Sequence, residues 1–383
     1  MSDHKRFNNF DLVRLFAAAQ VVFVHAVGHS PVRENSAPWV RKLLDVIILF
    51  PGVAVFFVVS GFLIAKSYER LRPEPRLFLW HRLLRIYPAL VICLGISLLA
   101  LAALGFLTPE VLGQPEFWVW LGGQLTFGQF YNPEFFRGFG LGVVNGALWT
   151  ISVELQFYLL VPLFYKVVFP ISGKRPWGFA PLWVSFFLSF AAFWQVDAAI
   201  NGPGGFTYAP LAAKLLFVSL VPHWWMFLLG LLIHRHWDRL GRFCEGKFAV
   251  WIAAYGAVAV LRQLVLGRDT SWQTLYYLGY LPERILLAAA TIAAAYTARG
   301  TASRWLGGTD VSYGIYIYHF LLINVLMEMG YMTGLGSVAA VFALSAALGL
   351  ASWHLVEKQA LALKSRFSGK SPAGAVAGNP TEA

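Results

Sequence analysis

Apolar stretches long enough to cross a bilayer recur from one end of this chain to the other, and no other property limits its fold as much. A helix needs roughly 20 mostly apolar residues to span the hydrocarbon core. Runs of that kind are read at about 10–28, 43–65, 84–106, 143–165, 179–198, 213–234, 248–266, 280–298, 309–328 and 334–356. Hydrophobic residues make up 58% of the chain and charged residues only 13%, with a mean hydropathy of +0.61. That balance excludes a soluble globular domain. The segments between the runs are too short for a separate water-soluble domain. The expected architecture is an all-α membrane protein, a polytopic bundle of about ten transmembrane helices. Residues 1–366 form one membrane domain; residues 367–383, rich in Gly, Ala, Ser and Pro, lack the apolar content to pack and are expected to be a disordered cytoplasmic tail.

Charge placement orients the bundle, because cytoplasmic loops carry the excess of Lys and Arg. With the N-terminus inside, 22 of the 30 basic residues fall on inside segments. Both termini are therefore expected to be cytoplasmic. The net charge of +11 follows from the same rule and needs no nucleic-acid partner, since anionic headgroups attract basic loops. The two cysteines, Cys93 and Cys244, lie in or beside different spans and build no disulfide framework. Lys5 and Arg6 before an apolar run resemble the start of a secretory signal. The run carries Arg14 and lacks a small-residue cleavage site, so it reads as a retained first span.

Polar residues inside the apolar runs are the candidate functional groups, because a charge near the bilayer centre costs roughly 2.5–3.5 kcal/mol on insertion scales. Asp11, Arg14 and His25 lie in the first run. Arg14 and His25 are 11 residues apart, about 1,100° of rotation and roughly 16 Å of rise, so they share a helix face. The stripe suits a path for a polar substrate or proton; a helix-end charge and a satisfied buried histidine would look the same. Arg82 and Arg85, three apart in FLWHRLLRIYP, offer paired guanidinium groups for phosphate, or ordinary anchoring at the cytoplasmic face. Glu154 lies in WTISVELQFYLLVP with Tyr158 one turn on and Ser152 and Gln156 nearby; at that depth it needs a partner such as Arg14 or His25, in a structural or a catalytic role. Ser312, Tyr316 and His319 in DVSYGIYIYH fall on one face that suits lining the cavity of His25, although tyrosines near span ends are more often belt residues. His354 and Glu357 read as a helix-end pair. The aromatic residues of the loop 107–142, Trp118, Trp120, Phe130, Tyr131, Phe135 and Phe136, suit either sugar stacking or the membrane interface, and the interface is the expectation.

Six motifs in register resemble the acyltransferase-3 family of integral membrane acyltransferases. They are FDLVRLFAAAQVVFVH, SGFLI from Ser60, RLLRIYP from Arg82, WTISVELQFYLLVP, LGGTDVSYGIYIYH from Leu306 and WHLVEK from Trp353. Together they run from residue 10 to 358. The resemblance implies a ten-helix fold that takes an acyl group, usually acetyl from cytoplasmic acetyl-CoA, to a hydroxyl of an envelope or secreted glycan or its lipid-linked precursor. It places the family's Arg-(ten residues)-His motif on Arg14 and His25, its Arg-x-x-Arg motif on Arg82 and Arg85, and its fourth-span glutamate on Glu154. Leu12 and Gln359 depart from the usual glycine and proline, which bears on helix ends rather than chemistry. The soluble esterase-like domain of some members is absent here, so any second catalytic module is expected on a separate periplasmic acyltransferase or polysaccharide-assembly partner.

The chemistry agrees with this assignment. An imidazole serves as base near neutral pH without a large shift, which makes His25 the candidate base or covalent relay. Arg14 and Glu154 then position donor or histidine, Arg82 and Arg85 hold CoA phosphates, and Asp11, Tyr158, Tyr316 and His319 line the substrate path. No metal is expected. The rivals are a proton-coupled secondary transporter, which would show related halves that are not visible here, and a lipid-glycan-binding subunit without turnover.

Overall fold

A computed structural model describes residues 8–72, 74–170, 177–202, 205–266 and 273–367. All regular structure among them is helical. The main helices are α1 (Phe10–Gly28), α2 (Pro38–Ile48), α3 (Gly52–Leu71), α4 (Pro75–Ala103), α5 (Pro115–Gln124), α6 (Trp149–Val168), α7 (Ala180–Ile200) and α8 (Trp224–Arg235). They continue with α9 (Trp237–Cys244), α10 (Phe248–Val265), α11 (Gln273–Tyr296), α12 (Ser312–Glu328), α13 (Leu335–Ser352) and α14 (Lys358–Phe367). Of the tail expected to be disordered, 367–383, Phe367 ends α14 and the rest lies outside the described residues.

Among the described residues, seven helical stretches are long and apolar enough to cross a membrane, or eight if α9 and α10, bent by 83° at their junction, form one broken span. The chain is a multi-pass membrane protein. Three of the ten expected runs differ from simple spans. The run 213–234 breaks into Leu211–Phe217 and α8, with Ser219 and Pro222 in the break. At 1.5 Å per residue, the 12 residues of α8 reach about 18 Å, well short of a ~30 Å core. The run 248–266 is α10, turned sharply from α9 beside Gly246, whose φ of 70° is left-handed. The run 309–328 is α12, whose 17 residues reach about 26 Å.

The chain divides into two compact units. One takes the chain up to Arg14, Val53–Pro75 and Val153–Gly307; the other takes Leu15–Gly52, Arg76–Ser152 and the chain from Gly308 onward. In the first unit, α10 packs along α11, and α8 packs against α7 and α11. Glycines let α8 cross α3 at backbone distance: a Cβ on Gly61 would fall on the Phe227 carbonyl, and one on Gly230 on the Val58 carbonyl. Asn9 fastens the start of α1. Its Nδ2 donates to the carbonyls of Thr297 (2.6 Å) and Ala298 (3.1 Å), and its Oδ1 accepts from Ala302 N (2.9 Å).

In the second unit the irregular stretch before α6 is stitched to α12 by side-chain amides. Asn145 Nδ2 donates to the Ile317 carbonyl at 2.8 Å, and Asn324 donates to Val143 O (2.7 Å) while accepting from Leu141 N (3.0 Å). Such backbone is tolerated at membrane depth only where protein meets its polar groups. Phe117, Trp120, Phe136, Phe139 and Leu321 form a core beneath it. This corrects the interfacial expectation for Trp120 and Phe136, which are completely buried, whereas Trp118 and Phe130 are exposed. The physical reason is that Trp120 lies on α5 and Phe136 in a 3₁₀ turn, Glu134–Phe136, and their rings pack together at 4.9 Å between centroids. Gly314 of α12 meets Gly349 of α13, where a Cβ would stand 2.7 Å from Gly349 Cα.

The glycine crossing yields a test of the fold. Gly230→Leu is expected to cost about 3 kcal/mol or more through overpacking, read as a lower melting temperature in detergent. Gly95→Leu, at a position with open space around it, should melt as wild type.

Candidate functional site: an imidazole pair and its supports

Two histidines meet in the second unit. His25 near the end of α1 places Nδ1 2.8 Å from Nε2 of His319 on α12, the rings being nearly parallel at 14°. His319 is fully buried and its Nδ1 lies 2.5 Å from the Tyr316 carbonyl. A carbonyl only accepts, so His319 Nδ1 carries the hydrogen and its Nε2 is an acceptor. Nδ1 of His25 therefore donates to it. By elimination, Nε2 of a neutral His25 holds a lone pair, which is the atom a base or nucleophile needs.

Several groups hold this pair in place. Phe320 sets its ring edge-on to His25 (5.3 Å between centroids) and to His29 (6.0 Å). Gly146 makes room for that ring, since a Cβ there would come within 2.6 Å of Phe320 Cζ. Burial holds His29 below the ordinary imidazole range, so it is uncharged near neutral pH and adds no cation beside His25. The Tyr316 hydroxyl lies 2.8 Å from Thr150 Oγ1 and donates to Ala147 O at 3.3 Å. Tyr316 thus fixes the start of α6 against α12.

Arg85 of α4 donates through Nη2 to Asp310 Oδ2, and its Nη1 is 4.0 Å from Glu357 Oε2. Ser312 Oγ donates to the other Asp310 oxygen at 2.6 Å, and Ser352 Oγ to Glu357 Oε1 at 3.0 Å. Glu357 reaches this cluster from a single π-helical turn, Trp353–Glu357, between α13 and α14. His354 of the same turn is exposed. Arg85 therefore faces two buried carboxylates. Arg82, three residues earlier, is buried with its guanidinium 5.7 Å from the Phe78 ring centroid.

The remaining candidates belong to the first unit, and each is described within it. Arg14 forms an ion pair with Asp11 one turn before it, where the carboxylate also complements the N-terminus of α1. Glu154 Oε1 accepts from the Tyr158 hydroxyl at 2.7 Å and from Ser60 Oγ at 3.1 Å. Its contacts are hydroxyl donors rather than the cations expected from the sequence. Sequence reasoning named Ser60 and Asp310 only as motif letters, and it passed over His29 and Thr150. His29 was findable, because it follows His25 by four residues on one helix face. The partnership of Asp310 with Arg85, 225 residues apart, had no local signal.

Comparison with known proteins gives these groups a family. The chain matches the family described as "Acyltransferase domain" over residues 7–356. Nodulation protein 10 of Rhizobium leguminosarum bv. viciae is 31% identical over 366 residues, covering 93% of this chain and 94% of that protein. Exopolysaccharide production protein ExoZ of Rhizobium meliloti is 27% identical over 319 residues, covering 81% and 89%. Peptidoglycan O-acetyltransferase OatA of Listeria monocytogenes is 26% identical over 303 residues, covering 72% of this chain and 45% of that protein. No solved structure matches the chain. A match that includes both histidines and every ion-paired arginine named above, and that extends over nearly the whole chain, shows that it belongs to the acyltransferase-3 family of membrane O-acyltransferases.

Proposed function

We propose that this enzyme transfers an acyl group, usually acetyl, from cytoplasmic acetyl-CoA to a hydroxyl of a cell-envelope or secreted polysaccharide or its lipid-linked precursor, in a bacterial inner membrane. The observation that carries the reading is the hydrogen bond from His25 Nδ1 to His319 Nε2, which leaves His25 Nε2 as a proton acceptor. The names of ExoZ and the Listeria O-acetyltransferase support a polysaccharide acceptor.

In this reading His25 Nε2 removes the proton from the acceptor hydroxyl as its oxygen attacks the thioester carbonyl. The tetrahedral intermediate expels the CoA thiolate, which takes the proton back from the imidazolium, so the products are the ester and free CoA. His319 is a positioning residue that holds the tautomer and orientation of His25. Glu154, with Tyr158 and Ser60 as donors, and Arg14, held by Asp11, position donor or acceptor. Arg85 fastens α4 through Asp310 and Glu357, and the CoA phosphate contact is assigned to Arg82, the other arginine of the motif.

Three measurements test these assignments. His25→Ala should lower acetyl transfer by about 10²–10⁴-fold at near-normal protein level, the usual weight of general acid–base work. His319→Gln, whose amide oxygen can accept from His25 Nδ1, should retain clearly more activity than His319→Leu and shift the pH–rate profile. Wild-type rates in His25→Ala would sink the base assignment; acetyl label retained on the quenched protein without acceptor would instead mark a histidine relay.

Arg82→Ala should weaken CoA binding about tenfold or more in calorimetry, the weight of a charge-assisted contact. Arg85→Ala should mainly lower thermal stability, by about 3–5 kcal/mol, because it removes a counter-charge from buried carboxylates. The reverse pattern would exchange the two roles.

The orientation belongs to the same proposal: ten passes with both termini cytoplasmic, supported by the 22 of 30 basic residues on inside segments. Cysteines introduced after Lys358 should be labelled only by membrane-permeant reagents in whole cells. Labelling by an impermeant reagent would overturn the orientation.

A further inference from the structure

Far along the chain from the imidazole pair, α10 and α11 bury a second charged cluster that the proposed chemistry does not use. Arg262 of α10 donates through Nε to Glu283 Oε2 on α11. Arg284, the next residue on α11, holds Nη2 3.8 Å from Glu283 Oε1 and donates from the same nitrogen to the Tyr280 hydroxyl at 2.6 Å. The exposures are 6% for Arg262, 7% for Arg284 and 1% for Glu283. Tyrosine rings cover the guanidinium faces: Arg262 Cζ is 4.3 Å and 4.4 Å from the centroids of Tyr276 and Tyr280, and Arg284 Cζ is 4.4 Å from that of Tyr280.

Two features show that this cluster is incomplete by itself. Among the described residues, two guanidinium groups stand against one carboxylate, an excess of one positive charge in helices read as crossing the membrane. Moreover, Nη1 of both arginines is buried with no hydrogen-bond partner among the described residues. An unmatched charge and unmatched donors in a low-dielectric setting are costly, and a single anion offering several oxygens removes both costs. Planar guanidinium donors fit an oxyanion better than a spherical ion. A phosphate diester or dihydrogen phosphate carries the one negative charge required.

We propose that Arg262 and Arg284, with Glu283 between them and Tyr276 and Tyr280 over their faces, form a binding site for a phosphate-type oxyanion, its oxygens accepting from the two Nη1 groups. The phosphate is supplied either by a lipid headgroup or from solution. This site stands apart from the acyl-transfer reading and does not depend on it.

The full chain in detergent is melted with inorganic phosphate or with chloride at matched ionic strength, and then in nanodiscs of phosphatidylcholine with or without phosphatidylglycerol. The expected result is a saturable rise in melting temperature with phosphate or with phosphatidylglycerol, and none with chloride. A rise with phosphate identifies a soluble source, and one confined to phosphatidylglycerol identifies the lipid diester. Glu283→Gln removes the competing carboxylate and should tighten binding about tenfold, whereas Arg262→Lys and Arg284→Lys, which keep the charge but lose the planar donors, should weaken it about tenfold. No response to either probe in the wild-type chain overturns the proposal without recourse to a variant. So does a response left unchanged by all three substitutions.

Discussion

Charge neutralisation inside apolar helices is the constraint on which the rest of this structure depends. In a medium that cannot solvate an ion, a guanidinium group must find its counter-charge within the chain or in a bound anion, and removal of one partner is far costlier than the pair itself. Arg14 meets Asp11 within a single helical turn, while Arg85 meets Asp310 and Glu357 from two distant parts of the sequence. The second arrangement does more than cancel charge. It fixes where α4, the start of α12 and the π-turn after α13 can stand, because each contributes one member of the cluster.

Glu154 is the informative contrast. It lies in a span and is half-buried, yet its contacts are the hydroxyl groups of Tyr158 and Ser60. Hydroxyls orient a carboxylate without cancelling its charge. A group held in that way can still respond to something that arrives, which is why it belongs among the functional candidates while Asp310 belongs to the frame.

Much of the fold was legible because apolar run length is a local and additive property. Tyr158 was placed one turn from Glu154 for the same reason, whereas Arg14, offered from the sequence as a partner for Glu154, pairs with Asp11 three residues before it. The break in the run 213–234 was not legible because average apolarity does not register Ser219 and Pro222. Nor was the burial of Trp120 and Phe136, because a ten-residue helix and a 3₁₀ turn leave too few turns for a periodic signal. The imidazole pair joins residues 294 apart and the Arg85 cluster residues 225 apart. Each partner could be suspected in sequence, but the pairing is a property of packing alone. The asparagine stitches belong to the same class: nothing in the letters marks Asn145 and Asn324 as the groups that satisfy an irregular backbone beside α12.

The last acceptor in the histidine chain is a main-chain oxygen. The side chain at position 316 can drift in evolution or be replaced in engineering, and the carbonyl beneath it will still face His319 Nδ1 as long as α12 stays a helix. A carboxylate in that place would titrate, compete for cations and disappear with one base change. A peptide oxygen does none of these. The direction in which the two imidazoles pass their hydrogens is therefore inherited from secondary structure, and it should be as durable as the helix that carries it.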